Sequence, residues 1–206
     1  MHSPMLTRRG LGLLAVALAL PALGWRAEAQ VDTSRATAFI QASGDQLVAA
    51  INQPGLGAVA RQDRVAAILR RTVDIDGVGR FVLGRFWRSA SPAEQQDYLR
   101  LFEASLIRNL AGRFGEYQGV RFSLGRTQSR TEDDALVSTF VQRPGQAAFN
   151  LDWRVGEVAG QPRIVDLIAE GTSLRLTQRS EYASVVQRGG GQVSALLAAM
   201  RQQAAR

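Results

Sequence analysis

Phe149-Asn150-Leu151-Asp152-Trp153-Arg154-Val155 alternates apolar and polar side chains without a slip. A period of two marks a strand with one face on a core and the other toward water. The stretch therefore predicts a half-buried strand with Phe149, Leu151, Trp153 and Val155 pointing inward. Pro144-Gly145 before it and Gly156 to Pro162 after it supply turns. Upstream, Val120, Phe122 and Leu124 alternate with polar residues. Ala135 to Val141 is rich in β-formers and follows a turn-like Thr131-Glu132-Asp133-Asp134. Downstream, Arg163 to Glu170 reads as a fourth strand. Links this short between successive strands predict a twisted antiparallel meander of about four strands.

On either side of the strands the period lengthens to that of a helix. Ile40, Leu47, Val48 and Ile51 share one face over residues 33 to 53, with Asp32 as the cap and Asn52-Gln53-Pro54-Gly55 as the stop. Val65, Leu69 and Val73 recur every four residues. Asp76 is placed to cap a third short helix through Val82, Phe86 and Trp87. Ser91-Pro92-Ala93-Glu94 combines a Ser cap, a Pro at the first helical position and a Glu at the third, which is a capping box. The helix it opens carries Leu99, Phe102, Leu106, Leu110 and Tyr117 on one stripe, widened by Tyr98, Ile107 and Phe114. Helical spacing returns over Ser173 to Gln187. Gly189-Gly190-Gly191 interrupts it, and Ser194 to Arg206 closes the chain. The predicted class is α+β, with N- and C-terminal helices covering one face of the sheet.

Composition narrows the chemistry. All 25 basic residues of the 206 are Arg, there is no Cys, and the single His is His2. Thiolate metal sites, disulfides and a cysteine nucleophile are excluded. His2 lies in an apparatus for export: Arg8 and Arg9 precede the apolar run Leu11 to Leu20, Pro21 breaks it, and Ala27-Glu28-Ala29 fits small-x-small cleavage. That run is too short to span a bilayer as a mature helix. We therefore expect a cleaved signal over residues 1–29 and one domain over 30–206. Thr7-Arg8-Arg9-Gly10-Leu11 is similar to a twin-arginine signal, and ordinary secretion stays equally open. Loss of three arginines and one glutamate lowers the net charge from +7 to +5. The remaining arginines are dispersed, which suits acidic partner patches or anionic membrane surfaces rather than nucleic acid. With the signal gone no His remains for acid–base or metal chemistry.

Carboxylates are then the remaining enzymatic candidates. Asp166 and Glu170 lie on one side of their strand by spacing, and paired carboxylates can serve a lyase or isomerase. The competing reading is a structural partner for Arg. Asp152, on the polar side of its strand, reads as solvated. Gly189-Gly190-Gly191 lacks a P-loop Lys and reads as a hinge or helix break. Phe86, Trp87, Phe102, Phe114, Tyr117, Phe149, Trp153 and Tyr182 all face the space between helices and sheet by pattern. Periodicity cannot tell whether that space is filled or hollow.

Leu83-Gly84-Arg85-Phe86-Trp87-Arg88-Ser89-Ala90-Ser91-Pro92 resembles a signature of the MlaC family of periplasmic phospholipid-binding carriers. Phe102, Leu106, Arg108 and Tyr117 match the helix that follows it. Arg143-Pro144-Gly145 is similar to the family's turn between central strands. Asp166, Glu170-Gly171, Ser173-Leu174 and Gln178-Arg179-Ser180-Glu181-Tyr182 are similar to its closing strand and helix. Thr172 and Thr177-Gln178 depart from the usual residues. The resemblance implies a carrier without catalytic residues, cofactor or metal. Its cargo would be a phospholipid, or a hopanoid-related lipid as in one branch of the family. It would act as a monomer between an inner-membrane ABC lipid-transport complex and an outer-membrane lipoprotein complex, maintaining outer-membrane lipid asymmetry. On this reading the lipid pocket is lined by Leu83, Phe86, Trp87, Phe102, Leu106, Leu110, Tyr117, Phe149, Leu151, Trp153, Leu174 and Tyr182.

Overall fold

The computed structural model describes residues 32–131 and 133–205, so the expected export signal lies outside the described residues. The chain opens with α1 (Thr33–Asn52), whose first turn is capped by the Asp32 carboxylate accepting from the amides of Ser34 (2.8 Å) and Arg35 (3.3 Å). Then come α2 (Ala58–Thr72) and α3 (Ile75–Leu83). Asp74 caps α3, accepting from the Gly77 amide at 3.2 Å. The expected cap, Asp76, sits inside the first turn instead. Nor does the helix run on to Trp87: Gly84 takes φ +58°, a left-handed conformation open to glycine, and starts a 3-10 turn over Gly84–Trp87.

The capping box forms as read. The Ser91 amide donates to Glu94 Oε2 at 2.9 Å and the Glu94 amide to Ser91 Oγ at 3.3 Å, opening α4 (Pro92–Gly115). After α4 come β1 (Arg121–Ser129), β2 (Asp134–Gln142), β3 (Phe149–Val158), β4 (Gln161–Ala169) and a two-residue β5 (Thr172–Ser173). They pair antiparallel in chain order. The meander thus has four long strands and one short one. The chain closes with α5 (Leu174–Arg188) and α6 (Val193–Ala204).

Register sorts the faces. Trp153 stands opposite Val137 on one side and Leu167 on the other; Val155 stands opposite Ala135 and Ile164. This apolar face packs on Ile40 and Leu47 of α1, Val65 and Leu69 of α2, and Ile107 of α4. On the other face, Asp134 pairs with Arg154. Asp152 is half-buried rather than solvated, with Oδ1 enclosed and unpartnered.

A second core contains helices only. Val82 and Leu83, Tyr98 and Phe102, Tyr182 and Val186, and Leu196, Leu197 and Met200 come from α3, α4, α5 and α6. Tyr98 is wholly buried at its centre. Its ring lies 5.8 Å from Phe102, 6.3 Å from Tyr182 and 6.5 Å from Trp87, and its hydroxyl donates to the Gly79 carbonyl at 2.9 Å. That bond satisfies the Tyr98 hydroxyl, a polar atom the core must accommodate.

Candidate functional site: a cavity at the seam of the two cores

Between the two cores lies a cavity of about 710 Å³. It exists because α4 packs on α2 and α6 while α5 packs on α3 and α6, so α4 and α5 stand apart as facing walls. The floor is apolar: Leu69, Val73, Val78 and Val82 from the α2–α3 side, and Trp153, Ile164 and Leu167 from the sheet. Phe102, Leu106, Leu110 and Phe114 of α4 form one wall, and Leu174 and Tyr182 of α5 the other. The mouth is polar. Arg108, Asn109 and Arg113 of α4, with Glu116 just past its end, face Thr177, Gln178 and Glu181 of α5 across it. The volume and the apolar floor beneath a polar entrance are those of a site for a mainly apolar ligand. A second indentation, beside Asp32 and Arg35, holds only about 10 Å³, room for at most a single water.

Two local devices hold the site open. Trp153 Nε1 donates to Thr139 Oγ1 at 2.9 Å, and Thr139 Oγ1 donates to the Leu151 carbonyl at 2.7 Å. With its N–H satisfied inside the sheet, the indole presents apolar ring to the cavity. The second device fixes α5. Asp166 is buried and accepts from Ser173 Oγ (2.6 Å), the Leu167 amide (2.8 Å) and the Arg175 amide (3.2 Å). Its Oδ2 lies 3.3 Å from Arg175 Nε. The Arg175 guanidinium rests over the Phe81 ring at 4.3 Å and donates to the Val165 carbonyl at 3.3 Å. Arg179 stacks on the same ring at 4.8 Å and donates to the Phe81 carbonyl at 3.1 Å. The first turn of α5 is thereby clipped to β4 and α3, and the wall stands where the clip puts it.

Asp166 and Glu170 do not form a carboxylate pair of one kind. Asp166 lines the cavity, but both its oxygens are engaged by protein donors. Glu170 is exposed, at φ +48°, and accepts from the Asn150 amide at 2.6 Å. The arrangement is that of structural carboxylates. Burial pushes the Tyr182 phenol up to about 12, against a hydrogen bond with Ser105 that pulls it down. Burial also raises the Tyr98 phenol, with Tyr182 adding to the rise. Among the described residues no three His, Cys, Asp or Glu side chains are placed to hold a metal, and no helix is long and apolar enough to cross a membrane.

The twelve residues expected at the pocket divide evenly. Phe102, Leu106, Leu110, Trp153, Leu174 and Tyr182 line the cavity. Leu83 is buried in the helical core, with Phe86 and Trp87 half-buried at its edge beneath Arg85 and Arg80. Leu151 is buried in the helix–sheet core. Tyr117 and Phe149 lie together under the Arg143 guanidinium, 4.6 and 5.5 Å from it. The pattern missed Leu69, Val73, Val78, Val82, Ile164 and Leu167 as cavity floor. The spacing of Leu69 and Val73, and the helical pattern through Val82, showed an apolar face, but not that the face looks into a void; Ile164 and Leu167, three apart in a strand, share no face by a period of two.

A family profile described as MlaC protein matches residues 41–202. The toluene tolerance protein ttg2D of Pseudomonas putida is 24% identical over 180 residues, spanning 87% of this chain and 83% of that one. A phospholipid-binding protein of Ralstonia solanacearum, solved with a phospholipid, superposes with a TM-score of 0.73 at 23% identity. That match covers 82% of this chain and 97% of the other.

Proposed function

The chain belongs to the MlaC family, and from that premise we propose that it is a periplasmic carrier that shelters the acyl chains of a phospholipid. The observation that carries the reading is the 710 Å³ cavity with its apolar floor and polar mouth. Each methylene withdrawn from a membrane costs about 0.8 kcal/mol in water, so a chain of about 16 carbons needs roughly 12 kcal/mol of apolar shielding. The cavity supplies that shielding by burial, with no bond made or broken. The ligand named for the Ralstonia solanacearum protein agrees with this chemistry. Residues 1–29 act as the export signal, and the protein moves its cargo between an inner-membrane ABC complex and an outer-membrane lipoprotein complex. Its role is carriage, with Asp166 a structural residue.

The test is direct. Organic extraction of the purified protein, followed by mass spectrometry, is expected to yield two-chain lipid at near one per protein. Stripped protein is expected to reload from vesicles. Protein that carries no lipid and takes none from vesicles would overturn the proposal.

A further inference from the structure

Resting on the carrier reading, the charges at the cavity mouth point to a preferred cargo: we infer that the mouth is a clamp for a zwitterionic head group, a phosphate beside an ammonium. Two guanidinium groups, Arg108 and Arg113, and two carboxylates, Glu116 and Glu181, line it. The cations lie in the last two turns of α4, Glu116 is the residue that caps its C-terminus, and Glu181 lies on the facing α5. None of the four is ion-paired with another described residue. Arg108 makes only a 3.4 Å contact to the Ala204 carbonyl, and Glu181 accepts from Gln178 Nε2 at 3.1 Å.

This balance stands out on a chain whose net charge is +5 without residues 1–29. An anionic head group would be served by surplus positive charge, which this chain has in quantity and does not place here. The negative end of the α4 dipole falls at this mouth as well, which further disfavours a lone anion. A phosphate needs guanidinium donors and an ammonium needs carboxylates, and the mouth offers two of each. Gly112 lies on α4 between the two arginines, where an added Cβ would meet nothing within 4 Å. Its bare backbone leaves room for a head group to lie against the helix.

Competitive loading tests this. Stripped protein is incubated with vesicles holding equal parts of phosphatidylethanolamine, phosphatidylglycerol and diacylglycerol with identical acyl chains, and the bound lipids are extracted and counted. All three lipids share one vesicle, so membrane attraction cancels in the ratio. The wild type is expected to load the ethanolamine lipid about threefold over the glycerol lipid, the scale of one exposed ion pair. The double variant Glu116→Gln/Glu181→Gln should remove that preference. Arg108→Gln/Arg113→Gln should lower both phospholipids relative to diacylglycerol by about tenfold, the scale of charge-assisted hydrogen bonds. Diacylglycerol loading reports an intact cavity in every variant. Equal loading of the two phospholipids by the wild type, or a preference that survives loss of both carboxylates, would overturn the inference. So would excess inorganic phosphate abolishing the phospholipid advantage at fixed ionic strength, since free phosphate would then be the ligand. Loading of no lipid at all would instead remove the carrier reading beneath it.

Discussion

Tyr98 and Leu106 lie two turns apart on α4, and their surroundings differ as a crystal differs from a cleft. Tyr98 is wholly buried, ringed by Phe102, Tyr182 and Trp87, with its hydroxyl bonded to Gly79. Leu106 is half-buried and lines the cavity. Nothing in the helix itself separates them. The N-terminal half of α4 meets α3, α5 and α6 in the helical core, while the C-terminal half faces α5 across the gap. An apolar side chain becomes core or cavity wall according to whether its neighbour arrives, and that is a property of the tertiary packing.

The largest predicted effects break this comparison most openly. Tyr98→Ala is expected to cost about 3–5 kcal/mol in urea unfolding, since it removes contacts on all sides and leaves a void. Leu106→Ala in lipid-free protein is expected to cost less than about 1 kcal/mol, because that side chain has no partner on its cavity side. A Leu106→Ala cost matching that of Tyr98→Ala would mean that the cavity is collapsed in solution.

The same contrast holds for charge. Asp166 is buried and holds the first turn of α5 through three donors and Arg175. Asp97 pairs with Arg100 and Arg201, both of them exposed. Asp166→Asn is expected to cost about 2–3 kcal/mol, since it strands the half-buried Arg175 guanidinium and donors arranged for a buried carboxylate. It should also speed lipid release, because the α5 wall loosens. Asp97→Asn is expected within about 0.5 kcal/mol of the wild type. Equal costs would show that the clip does not hold the wall.

Alkaline pH reads the tyrosines of the helical core, one of which, Tyr182, also lines the cavity. The Tyr182 phenol is raised from 10 to about 12 by burial, so the folded state favours the neutral form. That contribution is fully present below pH 10 and is lost as pH rises from 10 toward 12. A two-unit shift corresponds to about 2–3 kcal/mol. Tyr98 is raised for the same reason and steepens the loss. Unfolding measured across this range should show the drop, and Tyr182→Phe, which keeps the ring, should flatten it. An unchanged slope in Tyr182→Phe would place the titrating group elsewhere.

The sequence carried the local rules well and the global geometry poorly. Asp32 as cap, the Ser91–Glu94 box, the alternation through Trp153 and the return to helix after Ser173 are decided within a few residues, and each forms. Asp76 in place of Asp74 was a near miss of the same kind: two acidic residues flank Ile75, and only the backbone of Asp74 leaves the helix. The cavity is another matter. It depends on α6 holding α4 and α5 apart, a relation between segments far apart in sequence that no period encodes. Hence Tyr117 and Phe149, inward by pattern, are found beneath Arg143, while Val78 and Val82 of α3 form floor.

The smallest effect is the sharpest test, because one substitution should change sign between the two regions. Gly79 in α3 lies in the closed core, where an added Cβ would stand 3.0 Å from both Leu99 Cδ2 and Phe102 Cδ1. Gly112 in α4 lies at the cavity, where a Cβ would meet nothing within 4 Å. Alanine is the better helix former by about 1 kcal/mol at either position. At Gly112 that gain stands alone, so Gly112→Ala is expected to raise stability by about 0.5–1 kcal/mol. At Gly79 overpacking of the core, about 1–3 kcal/mol, opposes it, and the Phe102 ring cannot retreat without disturbing its stack on Tyr98. Gly79→Ala is therefore expected to lower stability by up to about 2 kcal/mol, the overpacking cost less the helical gain. Thermal melts of the two variants in lipid-free protein check this, with Gly112→Ala above the wild type and Gly79→Ala below it. Two rises would mean that the packing around Gly79 is as yielding as the cavity, two falls that the space at Gly112 is filled, and in either case the division of α4 into a filled half and an open half would fail.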